Sequence, residues 1–248
     1  MRVGIAGYGL AGRSFHGPLL KGAGFEIAAI LTTNSTRARQ AKEEFPLVKI
    51  VESFADLLRQ DLDLVVIATA NKAHAEQALA AIEAGIPVVI DKPAARTVAE
   101  TQAIFAAADK AGVPVTVFYN RIWDSDALTI KKVIAQGLIG KPFRLDSRFE
   151  RFRPQLNPAS WRENESPENG GGLLLDLQTH LISTALDWFG PAQVVSAQIR
   201  SIRGDSEDDV VLTLKHESGV DSYLSASAIA GNPGPRIRLL GTEAALVI

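Results

Sequence analysis

The chain has no cysteine among its 248 residues, which excludes disulfides, thiolate chemistry and a cysteine-based zinc site. Histidine is scarce too: His16, His74, His180 and His216 are scattered without metal-ligand spacing, so no metal site is expected. Neither sign of charge dominates. With 26 Lys and Arg against 28 Asp and Glu the net charge is −2, which argues against nucleic acid or an anionic membrane surface as the main partner. No apolar run approaches the ~18 residues a membrane helix requires, and no signal-peptide pattern precedes the strand that starts at Arg2. A cytoplasmic protein acting on a small molecule is the expectation. With 46% hydrophobic residues the chain can bury a substantial core, as one large domain or two modest ones.

What is present is concentrated first at Val3 to Gly12, an apolar strand running into a glycine-rich turn and then a helix. Gly7, Gly9 and Gly12 form G-x-G-x-x-G. The first makes a tight turn, the second lets the backbone approach a pyrophosphate, and the third lets helix and strand pack closely. Tyr8, Leu10 and Ala11 belong to the same cofactor-binding turn. The phosphates are expected on N–H groups at the helix N-terminus.

From residue 1 to 119, short apolar strands alternate with helical stretches, the pattern of βαβ units in a doubly wound parallel sheet. Strands are expected at Arg2 to Ala6, Phe25 to Leu31, Leu64 to Ala68, Pro87 to Ile90 and Pro114 to Phe118, and helices near Ala11 to Lys21, Ser35 to Phe45, Lys72 to Ala84 and Val98 to Ala111. Pro18 should kink or shorten the first helix, and Gly85 and Gly112 stand where C-terminal caps belong.

The second strand ends at Thr32, Thr33 and Asn34, with Ser35, Arg37 and Arg39 close behind. An NAD site commonly places a carboxylate here to hold the ribose 2′-hydroxyl. A carboxylate would repel a 2′-phosphate, whereas hydroxyls, an amide and a guanidinium bind one, so NADP is favoured over NAD. A plainer alternative has Ser35 capping the next helix and both arginines in solvent.

Residues 120 to 248 change pattern, to a helix near Asp124 to Gln136 followed by extended stretches. These are Phe143 to Phe152, Gln193 to Ile202, Val210 to His216, Ser222 to Ala228, Arg236 to Leu240 and Ala245 to Ile248. A second, α+β domain with a largely antiparallel mixed sheet is expected. The sequence stops in mid-strand, which suggests a truncated C-terminus.

Two positions carry candidate chemistry. Lys92, in Asp91-Lys92-Pro93, follows a strand at the carboxyl edge of the parallel sheet, where such folds bind ligands, and can exchange a proton with a substrate hydroxyl or carbonyl. A solvated lysine beside a helix-starting proline is the alternative. After Gly170-Gly171-Gly172, an apolar helix carries Asp176, His180, Ser183 or Thr184, and Asp187 at a spacing that stacks them on one face. Buried carboxylates need a partner, so the stripe must meet water, a partner or a ligand, with His180 on a substrate oxygen and Asp176 orienting it.

Together these motifs resemble the glucose-fructose oxidoreductase, inositol dehydrogenase and MocA-like (Gfo/Idh/MocA) family. The resemblance rests on G-Y-G-L-A-G, on A-T-A-N-K-A-H ending at His74, on Asp91-Lys92-Pro93 at the E-K-P position, and on G-G-G-L-L-L-D-L-Q-T-H ending at His180. G-R-S-F-H-G-P-L-L, Y-N-R-I-W-D and R-F-R-P at Arg151 to Pro154 are similar to the NADP-dependent scyllo-inositol dehydrogenase group. The resemblance implies a two-domain enzyme that moves a hydride between nicotinamide and a sugar or polyol carbon, with the second domain forming a substrate cleft and a homodimer or larger assembly. It implies catalytic roles for Lys92, Asp176 and His180, and a place beside the nicotinamide ribose and ring for Thr69, Asn71 and His74. Tyr119, Asn120, Arg153, Trp161 and Arg162 become candidates for lining the polyol site. Asp91 for Glu, Ile122 for Arg, Gln178 for Gly and Ser183 for Asp are departures on the substrate side. A nucleotide-sensing protein on the same fold, or a reductase of a non-sugar substrate, are the competing functions.

Overall fold

A computed structural model describes residues 1–248, which divide into two compact units, Met1–Phe118 and Tyr119–Ile248. In the first, strands β1 (Arg2–Ala6), β2 (Glu26–Leu31), β3 (Lys49–Val51), β4 (Leu64–Ile67), β5 (Val88–Asp91) and β6 (Val115–Phe118) form one sheet in the order β3-β2-β1-β4-β5-β6. Every pairing is parallel. The chain reverses direction of growth between β1 and β4, the switch point at which doubly wound sheets open a crevice.

Helices α1 (Gly17–Gly22), α2 (Ser35–Glu44), α3 (Phe54–Leu58), α4 (Asn71–Glu83) and α5 (Val98–Ala111) connect the strands. Neighbouring residues of one strand enter opposite cores: Ile5 packs with Tyr8, Ile30 and Ala41, whereas Ala6 packs with Ile67, Ala78 and Ile104. Both faces of the sheet are therefore covered, which is why its strands are apolar throughout. The bounds of α5 follow from its ends. Thr97 and Glu100 form a reciprocal capping box, and Gly112 closes the helix at φ +66°.

The first helix departs from expectation. Gly12–His16 is a π-helical turn, with the Gly17 N–H on the Gly12 carbonyl, and α1 begins only at Gly17 with Pro18 in its first turn. Proline has no N–H to continue an α ladder, so the helix restarts there instead of bending. Asn34, not Ser35, caps α2, accepting from the Arg37 N–H at 3.0 Å. The sequence reading missed β3 and α3. Three residues carry too little periodicity to announce a strand, and β3 exists through its edge pairing with β2.

The second unit holds α6 (Ser125–Ala135), α7 (Trp161–Asn164), α8 (Thr179–Phe189) and strands β7 (Pro142–Glu150), β8 (Ala192–Arg200), β9 (Asp209–His216), β10 (Asp221–Ser227), β11 (Ile237–Gly241) and β12 (Ala245–Val247). Their order is β12-β11-β7-β10-β9-β8, antiparallel except for the parallel pair β7 and β10. Leu181, Ala185 and Phe189 of α8 and Ile130 of α6 pack with Leu145, Leu212 and Leu224 of the strands. Asp124 stands at the start of α6 but makes no capping bond, because its carboxylate pairs with Arg121 at 2.7 Å.

Candidate functional site

In the first unit the three glycines are each required for a different steric reason. Gly7 has φ +92°, and a Cβ on it would lie 2.6 Å from the Ala68 carbonyl oxygen. A Cβ on Gly12 would overlap the carbonyl oxygen of Gly7. At Gly9 the nearest atom to such a Cβ is Arg37 Nη1 at 3.8 Å, so the space above this turn is open and faces a guanidinium. An open backbone approach beside a cation at the sheet's switch point suits a pyrophosphate. Of the other turn residues, Leu10 is exposed, whereas Tyr8 turns into the core and gives its hydroxyl to Glu44. The Tyr8 side chain is thus engaged in the core, and its backbone is the part that belongs to the turn. Burial and that carboxylate push its pKa up.

Beside the turn lies a cavity of about 580 Å³ whose walls include Thr32, Thr33, Asn34, Ser35, Arg39 and Lys42. Of the expected adenosine-side residues, Thr32, Thr33, Asn34, Ser35 and Arg39 thus share one surface, whereas Arg37 stands outside this wall and faces Gly9. Glu43 and Glu52 also reach it, which no local pattern announced. Thr32 is buried and its hydroxyl accepts from the Asn34 N–H at 3.3 Å, leaving the hydroxyl proton available. Hydroxyls, an amide and two cations thus share this wall with two carboxylates.

At the carboxyl ends of β4 and β5 the structure brings Thr69, Asn71, His74 and Lys92 into one neighbourhood through His74. The Nδ1 of His74 is 2.8 Å from the Pro93 carbonyl oxygen and its Nε2 is 3.2 Å from that of Thr69. His74 is fully buried, and desolvation lowers its pKa despite both carbonyls. It therefore ties the loop that carries Lys92 to the start of α4. Asn71 opens α4 in a buried position, and the Thr69 hydroxyl donates to Gln77 Oε1 at 2.8 Å. Asp91 accepts from the Lys92 backbone N–H at 2.8 Å, its shorter side chain folding back on its own turn.

In the second unit a π-helical turn, Leu174–Gln178, precedes α8. Its i→i+5 bonding inserts an extra residue, so the expected single stripe breaks up. Asp176 pairs with Arg162 at 3.2 Å, Asp187 with Lys131 at 2.8 Å, and Thr184 folds its hydroxyl onto the His180 carbonyl. His180 is buried edge-on to Phe149, with ring centroids 6.0 Å apart. It lines a cavity of about 360 Å³ together with Arg121, Arg148, Glu150, Arg151 and Arg236.

The expected polyol residues distribute unevenly. The Arg162 guanidinium lies over Trp161 at 4.4 Å and reaches Asp176, so these three form one cluster. Tyr119 is half-buried, with its pKa raised by desolvation, directly before the helical turn Asn120–Trp123. Arg153 is exposed and stands outside the cavity wall, while Arg151, two residues earlier, lines it. The cavity-lining arginines 121, 148, 151 and 236 were missed as a set because Arg148 and Arg151, at the end of β7, meet Arg121 and Arg236 from distant parts of the chain.

Comparison with known proteins is consistent with both halves. Residues 1–119 match the oxidoreductase family with an NAD-binding Rossmann fold, and residues 127–247 match the GFO/IDH/MocA C-terminal domain. The chain is 34% identical over 251 residues to scyllo-inositol 2-dehydrogenase (NADP(+)) of Bacillus subtilis, covering 100% of this chain and 68% of that protein. It is 38% identical over 205 residues to an uncharacterized oxidoreductase of Escherichia coli, covering 82% and 58%. The crystal structure of an NAD-binding protein from Listeria innocua superposes with a TM-score of 0.90 at 31% identity, covering 100% of this chain and 72% of that one. The chain thus spans between about a half and three quarters of the length of these relatives.

Proposed function

Because the chain belongs to the Gfo/Idh/MocA oxidoreductase family, we propose that it is an NAD(P)-dependent dehydrogenase or reductase. Its substrate in this reading is a CH–OH or C=O carbon of a sugar or cyclic polyol. When bound, the nicotinamide supplies the hydride acceptor or donor. The chain's own residues do the rest. Gly7, Gly9 and Gly12 let the backbone approach the pyrophosphate, with Arg37 beside them, and Thr32, Thr33, Asn34 and Arg39 receive the ribose end, NADP in preference to NAD. Lys92 exchanges the proton of the reacting oxygen, held in place by the loop that His74 secures. His180 hydrogen-bonds the substrate and Asp176 orients it, with Trp161 and Arg162 alongside. Two or more copies are proposed to associate through the second sheet.

The observation that carries this reading is the open approach at Gly9 beside the Thr32 and Arg39 cavity, a steric arrangement that serves a dinucleotide and no element of the core. The polyol class follows the scyllo-inositol dehydrogenase relative. The test is absorbance of reduced nicotinamide with NADP or NAD and a panel of inositols and sugars, on the wild type, Lys92→Ala and Arg39→Ala. Turnover abolished by Lys92→Ala, and a KM for NADP raised about tenfold by Arg39→Ala with NAD unaffected, is the expected result. Turnover that survives Lys92→Ala overturns the assignment.

A further inference from the structure

The cavity of the second unit is more cationic than a neutral polyol needs. Arg121 is matched by Asp124 at 2.7 Å, Arg236 by Asp126 at 3.0 Å, and Arg148 lies 3.8 Å from Glu150. Arg151 has no carboxylate within ion-pair distance, and its Nε is buried without a hydrogen-bond partner, as is the Nε of Arg121. Burial and the like charge of Arg153 weaken its hold on a proton, and the more distant carboxylates of Asp176 and Glu163 only partly offset them. An unpartnered buried guanidinium nitrogen is costly and calls for a partner.

Acceptors are as informative as donors. Each hydroxyl of a neutral polyol must give a hydrogen bond as well as receive one. Here the one carboxylate in the wall, Glu150, already accepts from the Ser225 hydroxyl at 2.6 Å. The wall sets four guanidinium groups against this one carboxylate, so donors outnumber acceptors. Phe149 sits under two of the guanidinium groups, 5.6 Å from Arg121 and 5.0 Å from Arg236, which fixes the donors in place.

We propose that the substrate carries an acid group, a carboxylate or a phosphate, which Arg151 binds in the cavity that His180 lines. A planar guanidinium takes two oxygens of either group at once. This rests on the oxidoreductase reading above and narrows its substrate from a neutral sugar or polyol to a sugar acid or a phosphorylated polyol.

The experiment compares matched ligands that differ only in the acid: glucose, glucuronate and glucose 6-phosphate, and myo-inositol with its monophosphate. Calorimetric binding to the protein with NADP present and nicotinamide absorbance are both read, for the wild type, Arg151→Gln and Arg151→Lys, after circular dichroism shows each variant folded. The expected result is at least about tenfold tighter binding of an acid than of its neutral counterpart. Arg151→Gln should collapse that ratio and Arg151→Lys should restore part of it. Glucuronate against the phosphates tells which acid is preferred. Equal binding of acid and neutral ligands, a ratio untouched by Arg151→Gln, or no binding of any acid overturns the proposal. Turnover of neutral polyols without acid preference sinks the proposal and leaves the oxidoreductase reading standing. Arg151-dependent binding of an acid with no turnover of any ligand does the reverse.

Discussion

The Nδ1 of His74 stands 2.8 Å from the carbonyl oxygen of Pro93, so the first turn of α4 is tied to the residue that follows Lys92. A neutral imidazole has one N–H, and the shorter of its two carbonyl contacts assigns it to Nδ1. Lys92 thereby gains a fixed base from a residue 18 positions earlier that need not touch substrate.

Replacing His74 should therefore lower activity through geometry. His74→Ala is expected to destabilise the chain by about 1–3 kcal/mol for the stranded Pro93 carbonyl, and to reduce kcat while the KM for NADP stays within about twofold. His74→Asn, which retains one donor, should recover part of the loss. Steady-state kinetics and urea unfolding measure the two effects, and a KM effect with unchanged kcat would instead mark His74 as a cofactor contact.

Acid sensitivity follows from the buried imidazoles. Desolvation lowers the pKa of His16, which stacks on Phe118 at 4.4 Å, and that of His74. Just below the unfolded imidazole value of about 6.5 the unfolded chain holds protons that the folded chain does not. Stability is thus full above that value and is lost as pH falls below it. The carboxylates held low, Glu44 and Glu100, respond only in more acid solution. Thermal midpoints should be level from pH 8 to 7 and decline from 6.5 to 5, less steeply in His16→Phe. A level profile down to pH 5 would contradict this.

Gly9→Ala and Gly12→Ala separate fold from ligand. A methyl at Gly9 finds only Arg37, at 3.8 Å, so the thermal midpoint should hold while NADPH binding weakens about tenfold or more. A methyl at Gly12 collides with the Gly7 carbonyl, and a loss of about 3 kcal/mol or more is expected. Fluorescence titration with NADPH and thermal melts on both variants check the pair. Equal melting losses would mean that Gly9 serves packing.

Glu207 secures the start of the segment that bears Asp176 and His180. Its carboxylate accepts from the Leu174 N–H at 3.2 Å and crowds Gly172, which has φ +89°. Burial raises its pKa, so the ionised form costs stability above the ordinary carboxylate range and the protonated form relieves it on acidification. Glu207→Gln keeps an acceptor and removes the charge, and its melting point at pH 8 should equal or exceed that of the wild type. Glu207→Ala loses the bond to Leu174 and should cost about 1 kcal/mol.

Much of the first unit was legible because its signals are local. The run from Val3 to Gly12, the bounds of α5 between Thr97 and Gly112, and the alternation of strand and helix all depend on residues a few positions apart. The position of Lys92 is legible in the same way, as the residue after a strand at the carboxyl edge of a parallel sheet.

The sequence by itself determined the glycine-rich turn, the two classes of sheet and the identity of the candidate acid–base groups, since each is written in composition or short-range spacing. Only the tertiary structure decided the edge strand β3, the π turns before α1 and α8, the burial of His74 and the cationic cavity around Arg151. A π turn spends one extra residue without altering the apolar pattern that marks a helix. The cavity joins Arg148 and Arg151, at the end of β7, to Arg121 and Arg236 from distant parts of the chain. Their meeting depends on the pairing of whole strands, a sum of distant contacts that no local window contains.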